Sequence, residues 1–217
     1  MDACRVHGPT GETRLPLGEG GTGWPERLTE ALPAGAKVRA RVADAHLRYL
    51  VLHWPAAVRS RDERALWLGH QFHQVHDIDP AQWQIAVDED AVGLPFIACA
   101  MPRALIDSLR SRLGRHRLAG LTGAFVDTYN RHGAQIRAAD GALARMDDGR
   151  LTLGVWRDGQ WTRLLSRPVD MADTTVVARE LVQLQVTGEA AQLGTLYRIG
   201  APVEAPDGWH LDTLEAC

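Results

Sequence analysis

The sequence has 217 residues, of which 45% are hydrophobic and 24% charged, with a formal net charge of −3 at pH 7. This composition is typical of a globular protein with a sizeable core, and the small net charge excludes a general attraction to nucleic acid or anionic lipid. The three cysteines are far apart and lack metal-ligand spacing, which argues against a disulfide framework and favours a reducing compartment.

The sequence contains no segment that predicts export or membrane insertion. Its first residues lack the apolar core of a secretory signal peptide. No apolar run approaches the roughly 20 residues that a membrane-spanning helix needs. We therefore expect a cytoplasmic protein that is recruited to a membrane only through another protein.

The first half of the chain predicts alternating strands and helices. Strands are expected at 3–7, 12–17, 37–42, 47–52, 83–87 and 94–100, and helices at 24–32, 61–75 and 101–113. The strands 37–42 and 47–52 are expected to pair with each other through the turn at Asp44-Ala45.

The helix predicted at 61–75 has a clear start, a clear end and one broad apolar face. Ser60 or Asp62 is expected to cap its start, and Asp77-Ile78-Asp79-Pro80 to end it. The residues expected to be buried are Ala65, Leu66, Leu68, Phe72 and Val75.

The second half predicts a further α/β unit built around hairpins. Strands are expected at 118–125, 141–146, 150–156, 160–167 and 196–199, and helices at 127–132 and 172–186. Asp158-Gly159 between two alternating apolar runs is typical of a tight hairpin turn, because both positions tolerate positive φ. We expect an N-terminal lobe at 1–116, a C-terminal lobe at 117–200 and an extended arm at 201–217.

Several segments of the first half resemble a known family. They are Leu50-Val51-Leu52-His53-Trp54-Pro55, then Asp62-Glu63-Arg64-Ala65-Leu66, and Phe96-Ile97-Ala98-Cys99-Ala100-Met101-Pro102 entering the next predicted helix. Their order resembles the actin-like cytoplasmic proteins of type IV pilus and type II secretion inner-membrane platforms. The hairpin at 145–161 continues the resemblance into the second half.

The resemblance implies a fold and a function. The fold is an α/β architecture with mixed sheets, actin-like or ribonuclease-H-like, with two small lobes and a degenerate nucleotide site. The function is that of a non-enzymatic cytoplasmic scaffold that docks on an inner-membrane protein of the same assembly platform, with a second copy of the chain as a further expected partner. No cofactor, metal, catalytic residue or nucleic-acid partner is expected.

An actin-like nucleotide-binding ATPase with a divergent site is the alternative. Such a site needs two facing hairpins that carry acidic and small residues. The first candidate, Gly8-Pro9-Thr10-Gly11-Glu12-Thr13, has no Asp in its turn, and the glycine-rich Gly18–Gly23 lacks the lysine of a phosphate loop. Asp147 and Asp148 in the second hairpin are the acids left to hold a metal ion.

The other clusters of potentially reactive or metal-binding residues have ordinary structural explanations. His70, His73 and His76 share a helix, but the outer two diverge by about 120° at 3.6 residues per turn. The acids at 88–90 and 147–148 fall at predicted turns, where carboxylates are usually solvated. No Gly-x-Ser-x-Gly segment supports a triad hydrolase, although a small enzyme on an unrelated α/β fold remains a third possibility.

One hairpin carries the residues predicted to bind a partner. The chain has seven tryptophans, and most are expected in the core. Trp156, Trp161 and Arg163 lie on the two strands joined by Asp158-Gly159. Strand alternation would place Trp161 and Arg163 on one face. Because tryptophan beside arginine is typical of interface hot spots, we predict partner binding through these three residues.

Overall fold

The structure is a computed structural model that describes residues 3–8, 11–16, 32, 35–87, 93–114, 116–147 and 149–215. Within these residues lie twelve strands and four α-helices. The strands are β1 (Ala3–Gly8), β2 (Gly11–Pro16), β3 (Lys37–Val42), β4 (Arg48–Leu52), β5 (Trp83–Val87), β6 (Phe96–Pro102), β7 (Arg117–Gly123), β8 (Gly141–Asp147), β9 (Arg150–Arg157), β10 (Gln160–Pro168), β11 (Gly194–Gly200) and β12 (Trp209–Thr213). The helices are α1 (Arg61–His76), α2 (Arg103–Leu113), α3 (Ala124–His132) and α4 (Val176–Val186).

Some predicted segments lie outside the described residues. They are the helix at 24–32 except Leu32, the segment Gly18–Gly23, the acidic turn at 88–90, and Asp148. The first predicted hairpin is confirmed, because β1 and β2 pair as antiparallel strands.

The C-terminal half forms a mixed five-stranded sheet in the order β10-β9-β8-β11-β12. Its first three strands form antiparallel hairpins, whereas β11 runs parallel to both β8 and β12. The chain crosses from β10 to β11 through α4. The predicted turn is confirmed, since Asp158 and Gly159 have φ values of 50° and 71°, as a tight two-residue turn requires.

Both faces of this sheet are buried, which explains the nearly continuous apolar sequences of β8 and β9. One face, here named the α4 face, packs side chains such as Leu153 and Leu196 against Val177 and Leu181 of α4. The opposite face, named the α3 face, packs Leu143, Trp156, Leu164 and Tyr197 against Phe125 of α3 and side chains of the N-terminal half. The core at the α3 face therefore joins the two halves of the chain.

The predicted pairing of β3 with β4 is wrong. β3 pairs in parallel with β7, and β4 pairs antiparallel with β6 in the separate sheet β4-β6-β5. A 3₁₀ turn, Asp44–His46, separates the two strands and sends them into different sheets. The predicted lobe boundary at residues 116 and 117 stays a prediction, and β3 and β7 pair across it.

The remaining helices cover the N-terminal sheets. α1 packs Leu68 and Phe72 on the sheet β4-β6-β5, and Trp54 stacks on Phe96 with ring centroids 4.7 Å apart. α2 packs Leu109 and Leu113 in a cluster with β3 and β7 side chains. The aromatic residues of the motif segments therefore have a packing role.

The ends of α1 match the sequence, but its buried face is narrower than predicted. Ser60 caps the helix reciprocally with Glu63, and Asp77 ends it in the left-handed conformation. Ala65 is exposed, and Leu66 and Val75 are 78% and 60% exposed, which contradicts the predicted burial of all three. The buried stripe instead includes Gly69, where a Cβ would lie 3.1 Å from Cβ of Pro80. Close packing on Pro80 thus shifts the contact face towards Gly69.

Further boundaries differ from the sequence prediction. The strand predicted at 118–125 ends at Gly123, and the helix predicted at 127–132 begins at Ala124, so Phe125 lies in α3. β6 continues through Pro102 directly into α2, so Pro102 precedes the helix instead of lying in its first turn. Part of the predicted arm is a strand, because Trp209–Thr213 pairs with β11 as β12. Burial of Trp209 and Leu214 at the two ends of this segment stabilises it against the sheet.

The half-buried His76 of α1 generates a prediction about pH. Its Nε2 lies 3.1 Å from the carbonyl oxygen of Tyr49. Burial lowers the pKa of His76, the Tyr49 carbonyl partly opposes this, and the nearby Arg48 lowers it further. Because the unfolded chain then binds the proton more tightly, stability should fall as the pH drops through the ordinary histidine pKa of about 6.5.

When the pH is lowered from about 7.5 to about 5.5, the unfolding free energy of His76→Gln should decrease by less than that of the wild type. Urea denaturation at both pH values measures this difference. His70→Gln, which removes an exposed histidine of the same helix, is the matched control. Equal pH dependence in the wild type and His76→Gln would contradict the prediction.

Candidate functional site

Asp44 occupies the N-terminus of α3. It is the first residue of the 3₁₀ turn after β3 and is only 5% exposed. Its Oδ1 accepts hydrogen bonds from the Tyr49 hydroxyl at 2.6 Å and from the backbone N–H of Phe125 at 3.1 Å. Phe125 lies in the first turn of α3, where free N–H groups and the helix dipole stabilise an anion. Asp44 therefore acts as an anionic cap supplied by a distant part of the chain.

Gly123 makes this arrangement possible. It is the N-cap residue of α3 and has no side chain that could bind the free N–H groups itself. A Cβ at this position would lie 2.2 Å from Oη of Tyr49 and 2.7 Å from Cδ1 of Leu47. Glycine thus leaves the space through which Tyr49 reaches Asp44.

Arg145 of β8 connects this cap to the β8–β9 hairpin. Its Nε lies 3.8 Å from Oδ2 of Asp44, and its Nη2 donates to Oδ2 of Asp147 at 2.5 Å. Nη1 also lies 3.4 Å from Oγ1 of Thr128 in α3. The Arg145 side chain is 13% exposed, so little solvent competes for these contacts. The predicted metal-holding acid, Asp147, is therefore paired with a neighbouring arginine.

A small cavity lies beside these groups, and we name it the central cavity. It is lined by Ala43, Asp44, Ala45, Ala124, Arg145, Asp147, Arg150 and Thr152. Its volume is about 30 Å³, enough for one or two water molecules, whereas small-molecule sites usually occupy about 300 Å³ or more. The two acidic and two basic lining residues balance one another, so the cavity presents no net positive charge to a phosphate.

Burial raises the pKa of both the hydroxyl and the thiol beside Asp44. Burial raises the pKa of Tyr49 far above its usual range, and the nearby Asp44 carboxylate adds to this. Burial likewise raises the pKa of the Cys99 thiol to about 12, with a further contribution from Asp44 and an opposing hydrogen bond from Tyr49. A nucleophile or general base needs a pKa near the working pH.

The structure brings two of the residues predicted to bind a partner together and separates the third: the rings of Trp156 and Trp161 have centroids 5.3 Å apart, whereas Arg163 pairs with Val155. Trp156 is 5% exposed, and its Nε1 donates to the carbonyl oxygen of Ala138 at 2.9 Å. Trp161 is half-buried on the α3 face, with its ring centroid 4.8 Å from that of Tyr129. Arg163 is the accessible member, with a side chain that is 54% exposed and lies 3.6 Å from Oε2 of Glu189.

A β-bulge explains why Trp161 and Arg163 do not share a face. Trp161 pairs with Trp156 and Arg163 pairs with the adjacent Val155, so Thr162 is an extra residue in β10. The bulge reverses the alternation beyond Thr162. Arg163 therefore lies with Val155 on the α4 face, whereas Trp161 lies on the α3 face. The predicted placement of Trp161 and Arg163 on one face of the hairpin is therefore wrong.

The histidines of α1 contact the backbone. His73 Nδ1 lies 3.1 Å from the carbonyl oxygen of Ile78, and His76 contacts Tyr49 as described above. Among the residues that the structure describes, no group of three or more His, Cys, Asp or Glu side chains is arranged to hold a metal ion. In the same part of the chain, no helix is both long and apolar enough to cross a membrane.

Sequence reasoning missed Asp44, Tyr49 and Arg145 as site residues. Asp44 is a single acid in a short turn, and its partners follow 5, 81 and 101 positions later, too far apart to form a motif. The available signal was Gly123, which begins a helix without a capping side chain. Such a helix start needs a partner from elsewhere in the fold.

The Asp44 cap predicts that two aspartates in contact with the same arginine contribute very differently to the free energy of unfolding. Asp44→Ala should lower the unfolding free energy by about 3–5 kcal/mol, because it removes the buried acceptor of the Tyr49 hydroxyl and the Phe125 N–H and leaves the buried Arg145 ion-paired with Asp147 alone. Asp147→Ala should cost about 1 kcal/mol or less, since the Asp147 side chain is 46% exposed. Urea denaturation followed by tryptophan fluorescence measures both changes. Similar losses in the two variants would contradict the central role of Asp44.

No protein-family model matches the sequence, and no curated protein sequence matches it. Solved structures do match. The chain superposes on the cytoplasmic domain of EpsL, an inner-membrane component of the type II secretion system of Vibrio cholerae, with a TM-score of 0.57, 12% identity and coverage of 95% of this chain and 78% of that one. The PilM–PilN type IV pilus biogenesis complex matches with a TM-score of 0.50, 13% identity and coverage of 91% and 77%.

A third matching structure identifies the type of fold. It is a protein of unknown function with an actin-like ATPase fold from Bacteroides thetaiotaomicron VPI-5482, with a TM-score of 0.51, 11% identity and coverage of 76% of this chain. The chain spans 60% of the length of that protein. At this level of identity the similarity concerns the fold alone. The predicted fold class is confirmed: the chain has a mixed α/β, actin-like fold, similar to pilus and secretion proteins.

Proposed function

We propose that this chain is a non-enzymatic cytoplasmic scaffold of a type IV pilus or type II secretion-like assembly platform, recruited to the inner membrane by a protein partner. The fold similarity to a cytoplasmic domain from a secretion system and to a pilus biogenesis complex supports the setting. We extend the cellular setting of those two proteins to this chain.

The observation that carries the non-enzymatic part is the Asp44 carboxylate at the N-terminus of α3. Helix N-termini are ready anion-binding sites, because they combine free N–H groups with a favourable dipole. In this chain an internal carboxylate accepts the Phe125 N–H, and the adjacent Arg145 contacts Asp44 and Asp147. A phosphate would have to displace Asp44 and break these contacts, which makes binding unfavourable.

One observation favours the alternative, an actin-like ATPase with a divergent site. Asp147 lies at the end of β8 and lines the central cavity opposite residues of the α3 N-terminus. Opening of the contact between Arg145 and Asp147 would free a carboxylate for a metal ion. Direct measurement of nucleotide binding distinguishes this alternative from the scaffold.

We predict that ATP or ADP with magnesium at millimolar concentration leaves the melting temperature unchanged. A site with a dissociation constant near 10 μM would add roughly 2.7 kcal/mol of stability at a hundredfold excess of ligand, which a thermal-shift titration detects. Magnesium chloride without nucleotide is the control. A rise in melting temperature that Asp147→Asn abolishes would favour the ATPase over the scaffold.

The partner-binding hypothesis concentrates on Arg163, because Trp156 and Trp161 pack within the chain. Alanine at Trp161 would leave a cavity beside Tyr129, so a loss of binding in that variant would also reflect altered packing. Arg163 is half-exposed, and a charge reversal there changes the surface with little effect on the core. Substitution of Arg163 therefore tests partner binding by this hairpin more directly than substitution of Trp161.

We expect Arg163→Glu to weaken copurification with the inner-membrane proteins of the same platform by about tenfold or more, as loss of a hot-spot arginine does. Arg110→Glu is the matched control, since Arg110 is 60% exposed on α2 and makes a similar surface ion pair. Coexpression of the chain with the cytoplasmic segments of those proteins gives the measurement. Unchanged binding in Arg163→Glu, with equal melting temperatures, would exclude this hairpin as the docking site.

A further inference from the structure

The strand β12 presents an open edge of the five-stranded sheet. It is the last strand in the sheet order, and within the described residues no strand pairs with its outer side. Its residues His210, Leu211, Asp212 and Thr213 are all exposed. Trp209 and Leu214, at the two ends, are 8% and 4% exposed, so the strand is anchored while its edge stays accessible.

The hydrogen bonds of β12 define which backbone groups face outward. The N–H of Leu214 donates to the carbonyl oxygen of Arg198 in β11 at 2.9 Å. Because strand residues alternate in direction, the backbone groups of His210 and Asp212 face β11 as well. The N–H and C=O groups of Leu211 and Thr213 consequently point away from the sheet and are available to a further strand.

We propose that β12 pairs with β12 of a second copy of this chain, as antiparallel strands in a register centred on Leu211. In this register Leu211 lies opposite Leu211 of the second copy, and their outward N–H and C=O groups are aligned to exchange hydrogen bonds. The contact is symmetric, as a twofold dimer requires, and it joins two five-stranded sheets into one.

The polar side chains of β12 are self-complementary in this register. His210 lies opposite Asp212 of the second copy, and the symmetry repeats the pair on the other side of Leu211. Charged residues on an edge strand commonly oppose pairing with other strands. Here the two residues flank the central position symmetrically, so self-pairing places an imidazole opposite a carboxylate that can accept its hydrogen bond, and such cross-strand pairs stabilise a sheet.

Apolar surface adjoins the proposed contact. Leu211 pairs with Leu196 of β11, so its side chain belongs to the α4 face. Leu193 is 67% exposed and lies against Gly208, immediately before β12. Burial of these side chains on dimerisation would add to the strand hydrogen bonds.

Sedimentation velocity of the purified chain alone, from low to high micromolar concentration, tests the proposal. We expect a dimer whose fraction rises with concentration. His210→Asp places two carboxylates opposite one another, and Asp212→Lys removes the carboxylate that faces His210, so each change should raise the dimer dissociation constant by about tenfold. The double variant His210→Asp/Asp212→Lys restores unlike pairs in the proposed register and should restore the dimer.

Leu211→Pro provides a second test that does not depend on charge. It removes an outward N–H while leaving the hydrogen bonds to β11, so the dimer should be lost with an unchanged circular dichroism spectrum. A monomer at all concentrations, or a double variant as weak as the single variants, would overturn the proposal. No platform protein or nucleotide is present in these measurements, so their outcome is independent of the proposed scaffold function.

Discussion

The contact between the Asp44 carboxylate and the N-terminus of α3 links the parts of this fold that the chain places far apart. It connects the turn after β3 to a helix that begins 80 residues later, and through Arg145 to the sheet of the C-terminal half. The contact is buried, so removal of either partner leaves an uncompensated charge or free N–H groups. It adds to the apolar packing of Leu143 and Trp156 on Phe125, which holds the β8–β9 hairpin beside α3.

The same contact decides what the centre of the molecule can do. An actin-like fold brings a helix N-terminus and a hairpin together, and this combination suits a phosphate. In this chain the two arginines and two aspartates around the central cavity neutralise one another, and the remaining space is about 30 Å³. The protein surface, including the hairpin with Arg163 and the edge of β12, is therefore where we expect binding.

Local sequence patterns were sufficient for most individual elements. The alternation around Asp158-Gly159, the reciprocal cap of Ser60 and Glu63, and the end of α1 at Asp77 all agree with the structure. Each depends on residues within a few positions of one another, where backbone preferences and side-chain caps act directly. The resemblance of several segments to a known family also predicted the actin-like fold class correctly.

The sequence by itself thus determined most of the elements and their order, because these follow from short-range conformational preferences and apolar periodicity. The fold class came from the resemblance of several segments to a known family. Only the tertiary structure decided the pairing of β3 with β7, the bulge that separates Trp161 from Arg163, and the strand β12 within the predicted arm. It also decided the site around Asp44. These features depend on contacts between residues that are distant in the chain. The free energy of such contacts comes from burial and charge pairing, which local sequence patterns do not encode.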